Sequence, residues 1–263
     1  MNVLFFGILV VYFIAMALQF AAVAFKKEKL GKAAWAVFLI AFAAHTLYIV
    51  VRGIVAKRIP LSNQFEFATA FAWGVALLLI VLQTKMKADW LSVIAMPMTF
   101  LLLSFAALQP REVTDLMPAL RSGWFGFHIG SAVISYSAFV VAGCVGLRYI
   151  LLSKKNREED SLRLQQMDWL SYRLVALGVL MLTVTILTGA IWAEQAWSAF
   201  WTWDPKEVWA LITWIIYVVY LHLRLRSRKK GLAMAWYVVI AVPVVLFTFA
   251  GVNTLMSGLH TYA

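Results

Sequence analysis

The chain has 263 residues, of which 63% are hydrophobic and only 13% charged, and its formal net charge is +11. In an ordinary soluble domain roughly 45–50% of residues are apolar. The higher hydrophobic fraction of this chain, together with its mean hydropathy of +0.85, excludes such a domain. The basic residues lie in short connections rather than on a folded basic face, so no nucleic-acid partner is predicted. The single cysteine, Cys144, excludes an internal disulfide and CxxC chemistry within this chain.

Apolar segments long enough to cross a bilayer follow one another along the whole sequence. A hydrocarbon core of about 30 Å takes roughly 20 apolar residues of helix. The predicted spans are 2–25, 33–51, 65–83, 90–108, 124–152, 169–192, 207–225 and 233–256. The sequence therefore predicts one all-α integral membrane domain, residues 1–263, with eight transmembrane helices.

The distribution of Lys and Arg predicts the orientation of these spans. Seventeen of the 23 Lys and Arg residues fall in alternate connections, at 26–32, 85–87, 148–173 and 224–230. Cytoplasmic connections carry the excess of basic residues in membrane proteins. Both termini, and the connection between spans six and seven, are therefore predicted on the external (periplasmic) side.

A polar cluster, PLSNQFE at 60–66, lies on the external side where span three begins. Ser62 or Asn63 can cap this helix, and Glu66 stands three residues after Asn63, which is the offset of a capping box. Capping alone accounts for the cluster. A carboxylate this close to an apolar span can also brace an external site.

The four histidines all lie within or at the edge of a predicted span. His128 lies just inside the outer end of span five, and His260 lies in the external tail after span eight. At about 1.5 Å of rise per residue, His45 lies roughly 18 Å and His222 roughly 5 Å from the cytoplasmic end of its span. A membrane histidine usually faces a partner or a cofactor. A hydrogen bond to a neighbouring helix explains His45 equally well.

Five tryptophans fall between residues 192 and 209, in the external connection predicted at about 192–207 and at its ends. An aromatic belt at the membrane interface explains Trp192 and Trp209. It explains Trp197, Trp201 and Trp203 less well, because these three cluster inside a connection. Flat indoles there can stack on a flat apolar ligand and still offer an N–H donor.

A helix start follows the tryptophans directly. Asp204 can serve as the N-cap, Pro205 as the first helical residue and Glu207 as the reciprocal partner at the third position. This capping box predicts that span seven begins at the outer surface, with Trp201 and Trp203 held against its first turn.

The stretch WAEQAWSAFWTWDPKEVWALITW, residues 192–214, resembles the tryptophan-rich WWD signature of cytochrome c assembly proteins of the CcsA/ResC type, from the System II cytochrome c synthase. HIGSAVISYSAF (128–139) and GLHTYA (258–263) resemble the external histidine segments of that family, YLHLR (220–224) its inner membrane histidine, and PLSNQFE a segment at a helix start. Eight spans in 263 residues separate the chain from the related CcmC type, which has fewer spans, and the CcmF type, which is much longer.

The resemblance implies a haem-handling subunit of a cytochrome c synthase (haem lyase). Such a subunit exports or holds haem b at the outer membrane face and presents it for thioether attachment to the CxxCH motif of apocytochrome c. His128 and His260 would be axial ligands of the external haem iron. His222 would bind a second haem inside the membrane, whose other histidine comes from a CcsB/ResB-type partner. The loop residues that would cradle the porphyrin are Trp197, Trp201, Trp203 and Asp204.

The resemblance has further consequences for the site. The thiols come from the substrate, so the chain needs no catalytic side chain of its own, and the cofactor carries the chemistry. The protein would lie among the lipids of the bacterial cytoplasmic (inner) membrane, or of the thylakoid membrane in a plastid. One departure is visible, because the family commonly has glycine after the tryptophan matching Trp197, where this chain has Ser198. Serine costs little there unless the backbone needs a positive φ.

Four external basic residues are candidates to meet the haem propionates, since guanidinium and ammonium groups pair with carboxylates. Placement at the lipid head groups explains them equally well. They are Arg52, Arg58, Arg121 and Lys206.

Two other classes of membrane protein are alternatives. A b-type cytochrome that exchanges electrons with quinone needs paired histidines at matched depth, and the estimated depths of His45 and His222 differ. A transporter or channel without haem is expected to carry charged or broken helices near the midplane, and the predicted spans contain few charges.

Overall fold

A computed structural model describes residues 1–86, 88–154, 161–256 and 258, and eight long helices account for most of them. Eight helical segments are long and apolar enough to cross a membrane, the number predicted from the sequence, when α4 is counted from Asp89 and α8 is counted to Leu255. The helices are α1 (Asn2–Ala24), α2 (Glu28–Ala56), α3 (Gln64–Met86), α4 (Ser92–Ala107), α5 (Gly123–Ser153), α6 (Ser161–Trp197), α7 (Pro205–Leu225) and α8 (Leu232–Leu246). Short 3-10 turns at Asp89–Leu91 and Pro118–Leu120 precede α4 and α5.

Two helices are much longer than hydropathy predicts. Helix α2 exceeds the predicted 33–51 at both ends, and α6, with 37 residues, exceeds the predicted 169–192. At about 1.5 Å per residue, α6 is roughly 55 Å long, well beyond a core of about 30 Å. The added turns contain polar helix formers, which a hydropathy window does not register. Trp192 and Trp197 are therefore helical residues.

The chain divides into two compact units, residues 1–116 and 117–263. In the first unit, α1 packs against α2 and α4, and α3 packs against α4. Aromatic side chains fill its core: the Phe5 ring lies 5.0 Å from that of Phe65 and 5.6 Å from that of Tyr48. The single membrane domain expected from the sequence stays a prediction.

A buried carboxylate organises the polar end of the first unit. The Glu66 side chain is fully buried, and it accepts hydrogen bonds from Arg52 Nε at 2.9 Å and from an Arg58 guanidinium nitrogen at 2.7 Å. The backbone N–H and the hydroxyl of Ser62 also donate to it, at 2.8 and 3.1 Å. Asn63 Oδ1 accepts the Glu66 N–H at 2.9 Å, so Asn63 caps α3.

The remaining Arg52 donors reach the segment after α4. They bind the carbonyl oxygens of Arg111 at 3.0 Å and Glu112 at 3.2 Å, while Arg58 donates to the carbonyl of Thr114 at 3.4 Å. Arg52 is only 2% exposed. Most of the guanidinium donors of Arg52 and Arg58 hold the protein's own carboxylate and backbone carbonyls, which argues against the propionate role considered for these two residues.

Helix α5 is the centre of the second unit, and small residues bring its neighbours close. A Cβ at Gly146 would lie 2.8 Å from the carbonyl oxygen of Ala235 on α8. On the other side, a Cβ at Gly178 of α6 would overlap the Phe139 ring, and it would lie 2.6 Å from Cδ1 of that ring. That ring stacks on Tyr217 of α7 with centroids 3.6 Å apart. Glycines thus bring α6 and α8 close to α5, and the ring stack of Phe139 on Tyr217 joins α7 to α5.

Helix α8 changes its winding near its end. It continues through a π-helical turn (Phe247–Gly251) into a last turn (Val252–Leu255). The turn follows Pro243, which has no N–H to donate within the helix. Thr248 in this turn shares a 2.8 Å hydrogen bond with Thr213 of α7, and Phe247 packs on Trp209 at 4.5 Å. The π turn therefore fixes the end of α8 against the first turns of α7.

Candidate functional site

The imidazole of His128 is held by a backbone carbonyl of the neighbouring helix. His128 lies in the second turn of α5, and its Nδ1 is 2.8 Å from the carbonyl oxygen of Thr185 on α6. A carbonyl can only accept, so Nδ1 donates this bond, and in the neutral ring Nε2 then carries the lone pair. This is the tautomer in which a histidine binds a metal through Nε2, with its other nitrogen oriented by a second group.

A glycine provides the space for this imidazole. A Cβ on Gly189 of α6 would lie 2.6 Å from His128 Nδ1 and 2.7 Å from Cε1, so no other residue fits without moving the ring. Nearby, Ser131 of α5 and Thr185 of α6 join the two helices through a hydrogen bond of 2.9 Å between their hydroxyl groups. Gly189 and Thr185 could not be predicted from the sequence, because their role depends on how α5 and α6 pack.

The space that holds the His128 imidazole between α5 and α6 is called the histidine niche below, and Trp192 forms one wall of it. Its ring stacks on His128 with centroids 5.8 Å apart and planes 21° apart, and it is only 1% exposed. Its indole N–H donates to the carbonyl oxygen of Ala119 at 2.8 Å. The assignment of Trp192 to an interface belt is therefore wrong, because a buried ring that contacts His128 faces the protein interior.

The tryptophans form two edge-to-face pairs. Trp197 meets Trp192 at 4.9 Å and 75°, which extends the aromatic wall beside His128 by one ring. Trp201 and Trp203 meet at 5.8 Å and 90°, and Trp203 is 70% exposed. Trp203 also has φ +60°, a left-handed backbone that is rare for bulky residues and concentrates at functional sites. The second pair is thus an aromatic surface held in a strained loop.

The connection between α6 and α7 consists of residues 198–204, which is shorter than the predicted 192–207 because α6 continues to Trp197. It begins with Ser198 at φ +58°, in the left-handed region that favours glycine. The departure noted at this position therefore falls where the backbone does need a positive φ, and serine there carries a conformational cost.

We expect Ser198→Gly to raise the unfolding free energy by about 0.5–1 kcal/mol, because glycine removes the left-handed strain but gives the unfolded chain more freedom. Thermal unfolding in detergent measures this change. Ser198→Ala is the matched control, since alanine keeps the Cβ and with it the strain. An equal gain from both variants would show that strain at this position is not the cause.

The predicted capping box at the start of α7 is confirmed. Asp204 Oδ1 accepts the Lys206 N–H at 2.9 Å, and Glu207 Oε2 accepts the Asp204 N–H at 3.2 Å. Glu207 also accepts the Thr202 N–H at 2.8 Å, which ties the middle of the loop to the helix. Asp204 is only 6% exposed, and its predicted contact with haem stays a prediction.

The other histidines have separate surroundings. His222 lies on the exposed face of α7 together with Ile215, Val219 and Leu225, which follow one another at helical spacing. His45 is buried in the first unit, where its Nδ1 lies 3.3 Å from the hydroxyl of Tyr12. That contact supports the interpretation of His45 as a packed helix-to-helix residue. His260 lies outside the described residues.

A groove of about 740 Å³ opens at the N-terminal end of α5. Arg121 lines it together with Trp124, Phe127 and Gln195, and the Ser122 hydroxyl donates to Gln195 Oε1 at 2.7 Å. Of the four basic residues considered for the propionates, Arg121 is the one that lines this groove. Lys206 lies in the first turn of α7, within the capping box.

The chain was compared with known proteins. Residues 61–260 match the family model described as "Cytochrome C assembly protein". The chain therefore belongs to the cytochrome c assembly protein family. Within that family it is of the CcsA type, because many curated CcsA proteins match it over most of this chain.

One relative is the cytochrome c biogenesis protein CcsA of Prochlorococcus marinus (strain MIT 9301), which is 30% identical over 97% of this chain and 93% of its own length. The CcsA protein of Guillardia theta is 32% identical, over 82% of this chain and 81% of its own. A solved structure, "Cytochrome c Heme Lyase CcmF", aligns with a TM-score of 0.76 at 14% identity, over 99% of this chain but only 47% of its own. At that identity it shows a shared fold, and this chain spans about half its length.

Proposed function

We propose that this chain holds haem b at the outer face of the membrane and presents it for covalent attachment to apocytochrome c, as the haem-handling subunit of a cytochrome c synthase. Membership of the CcsA-type family supports a role in cytochrome c maturation. The observation that carries the finer proposal is the state of His128. Its proton is committed to the Thr185 carbonyl at 2.8 Å, so its Nε2 lone pair suits an iron atom.

The external haem would be ligated by His128 and His260, since two imidazoles satisfy both axial positions of haem iron. Trp197, Trp201 and Trp203 would cover the apolar macrocycle with their indole faces. Trp192 would support the ligand and not the macrocycle, because its buried ring stacks on His128 with centroids 5.8 Å apart. Arg121, which lines the groove at the N-terminal end of α5, is the candidate to pair with a propionate.

The chain's own contribution would be positioning. In thioether formation each CxxCH thiol adds across a haem vinyl group, so that sulfur bonds to one vinyl carbon and hydrogen to the other. No side chain of the protein is consumed, and no added oxidant is needed. A haem fixed by its iron and its macrocycle presents its vinyl groups at one place, which lowers the entropic cost of the reaction.

His222 would bind a second haem, inside the membrane, together with a histidine from a CcsB/ResB-type protein. The exposure of His222 on an apolar face of α7, beside Ile215 and Val219, supports a ligand that is completed by another chain. Buried contacts would be expected if this chain supplied both ligands itself. The proposal places the partner helix along this face.

The proposed topology puts both termini and the tryptophan loop on the external side. The excess of Lys and Arg in the alternate connections supports this orientation. The membrane would be the bacterial cytoplasmic membrane, or the thylakoid membrane in a plastid. Among the relatives are cyanobacterial proteins and one from Chlamydomonas reinhardtii, which fits either setting.

The double variant His128→Ala/His260→Ala tests the ligand assignment. It should lose the external haem, because neither axial position is filled by the protein. The measurement is haem per protein after purification from membranes, together with the absorption spectrum. His222→Ala is the matched control, because it should remove the inner haem and spare the outer one. A double variant that keeps its full haem content and an unchanged spectrum would show that the iron ligands lie elsewhere.

A further inference from the structure

Asp168 of α6 binds two helix ends at once, where α7 stops and α8 begins. Its Oδ1 accepts a hydrogen bond from Arg224 Nη1 at 2.8 Å, and its Oδ2 accepts one from Nη2, so the two side chains form a fork-to-fork pair. Oδ1 also accepts the Gly231 N–H at 2.9 Å. Arg224 lies in the last turn of α7, and Gly231 is the N-cap of α8. One carboxylate therefore holds both helix ends against α6.

The connection between these two ends is fastened by the same arginine. Arg224 Nη1 also donates to the carbonyl oxygen of Lys229 at 3.3 Å, and the Lys229 N–H donates to the carbonyl of Leu223 at 3.1 Å. The Arg224 and Asp168 side chains are only 8% and 10% exposed, so solvent screens their attraction little. The end of α7 and the connection to α8 are therefore tied to α6 through one shielded ion pair.

Arg224 and His222 lie on opposite sides of α7. Each residue of an α-helix turns by about 100°, so two residues apart means roughly 200° around the axis. The side of Arg224 is buried, because Tyr217 and Tyr220, at helical spacing from it, are 0% and 1% exposed, whereas His222 is exposed. The carbonyl of His222 accepts the Arg226 N–H at 2.8 Å, at the very end of the helix. Holding Arg224 on the buried side therefore holds His222 on the exposed side.

We propose that Asp168 and Arg224 are positioning residues for His222: their ion pair fixes the rotation of the last turn of α7, so that the imidazole stays on the exposed apolar face. This inference rests on the proposed role of His222 as a ligand of an inner haem. A ligand that is completed by another chain needs a fixed direction, because the second imidazole must reach the same iron atom. Releasing the pair lets the last turn of α7 rotate or fray and costs haem affinity.

The double variant Asp168→Leu/Arg224→Met removes the pair without leaving a buried charge. Apolar residues of similar volume often replace a buried ion pair with little change in stability, so this variant should unfold at the parental temperature in detergent. It also removes the acceptor for the Gly231 N–H. Arg173→Met is the matched control, because it replaces another arginine by methionine, on α6, where the guanidinium covers the exposed Trp169 ring at 4.5 Å.

The first readout does not require haem. Trypsin cuts after lysine and arginine, and the connection offers Arg226, Arg228, Lys229 and Lys230. Mass spectrometry of the purified chain gives the initial rate of cleavage at these four positions. The double variant should be cut about tenfold faster, which corresponds to roughly 1.4 kcal/mol less free energy for local opening. Arg173→Met should be cut at the parental rate. A parental rate in the double variant would overturn the tie between the ion pair and the connection.

The second readout is haemin binding in a His128→Ala background, which lacks the proposed external ligand. Titration followed by absorption should show about tenfold weaker binding for the double variant, the lower end of the range for a lost orienting group. Arg173→Met should bind as the background protein does. If His222→Ala weakens binding but the double variant does not, the positioning role is overturned and the ligand assignment stands. If His222→Ala leaves binding unchanged, the ligand assignment itself is wrong, whatever the cleavage rates show.

Discussion

Replacing Gly189 with alanine should lower the affinity for the proposed external haem by about 10–100-fold, the range observed when an outer group that orients a metal ligand is disturbed. The new methyl group would lie 2.6 Å from His128 Nδ1, so the ring must turn out of its niche. Turning breaks the 2.8 Å bond to the Thr185 carbonyl, which fixes both the tautomer and the direction of Nε2. Haem titration of the purified chain, followed by absorption, measures the loss.

Gly130→Ala is the matched control for this variant. It makes the same substitution on the helix of His128, only two residues away, where a Cβ would meet no atom within 4 Å. Alanine favours a helix over glycine by roughly 0.5–1 kcal/mol, so neither variant weakens its helix intrinsically. A Gly189→Ala protein that binds haem with parental affinity and spectrum would show that the niche does not position the ligand.

The sequence predicts most of the fold because the period and length of apolar segments carry that information. All eight helices lie where the hydropathy of the chain puts them, and the capping box at Asp204 and Glu207 follows from local residue order. The helix ends were less predictable. Helix α6 continues past the apolar span to Trp197 because helix formation does not require apolar residues.

The candidate site was predictable only in part, because its key contacts join residues distant in sequence. The resemblance singles out His128, but the bond that sets its tautomer comes from Thr185, 57 residues away. Trp192 looks like a belt residue by position, and only the packing of α5 on α6 turns it onto His128. Arg52 and Arg58 look like free external cations, yet both bind Glu66. Tertiary partners decided each of these cases.

The second large effect concerns the buried carboxylate of Glu66. Glu66→Ala should lower the unfolding free energy of the chain by about 3–5 kcal/mol, the usual cost of removing one partner from a buried ion pair. The loss is large because Arg52, with a side chain 2% exposed, would be left without its counter-charge, and Arg58 would lose its partner at 2.7 Å. Thermal unfolding in detergent, monitored by circular dichroism, measures the change.

Two comparisons isolate burial as the cause. Glu28→Ala removes a carboxylate from an exposed ion pair with Lys32 at 2.8 Å, and it should leave stability unchanged, because solvent screens that pair. Glu66→Ala/Arg52→Met should recover part of the loss, since the variant no longer buries an uncompensated guanidinium and methionine fills much of its volume. Equal small effects at Glu28 and Glu66 would contradict the argument. They would mean that water reaches the Glu66 cluster and that the segment at 111–114 is held by something other than the two arginines.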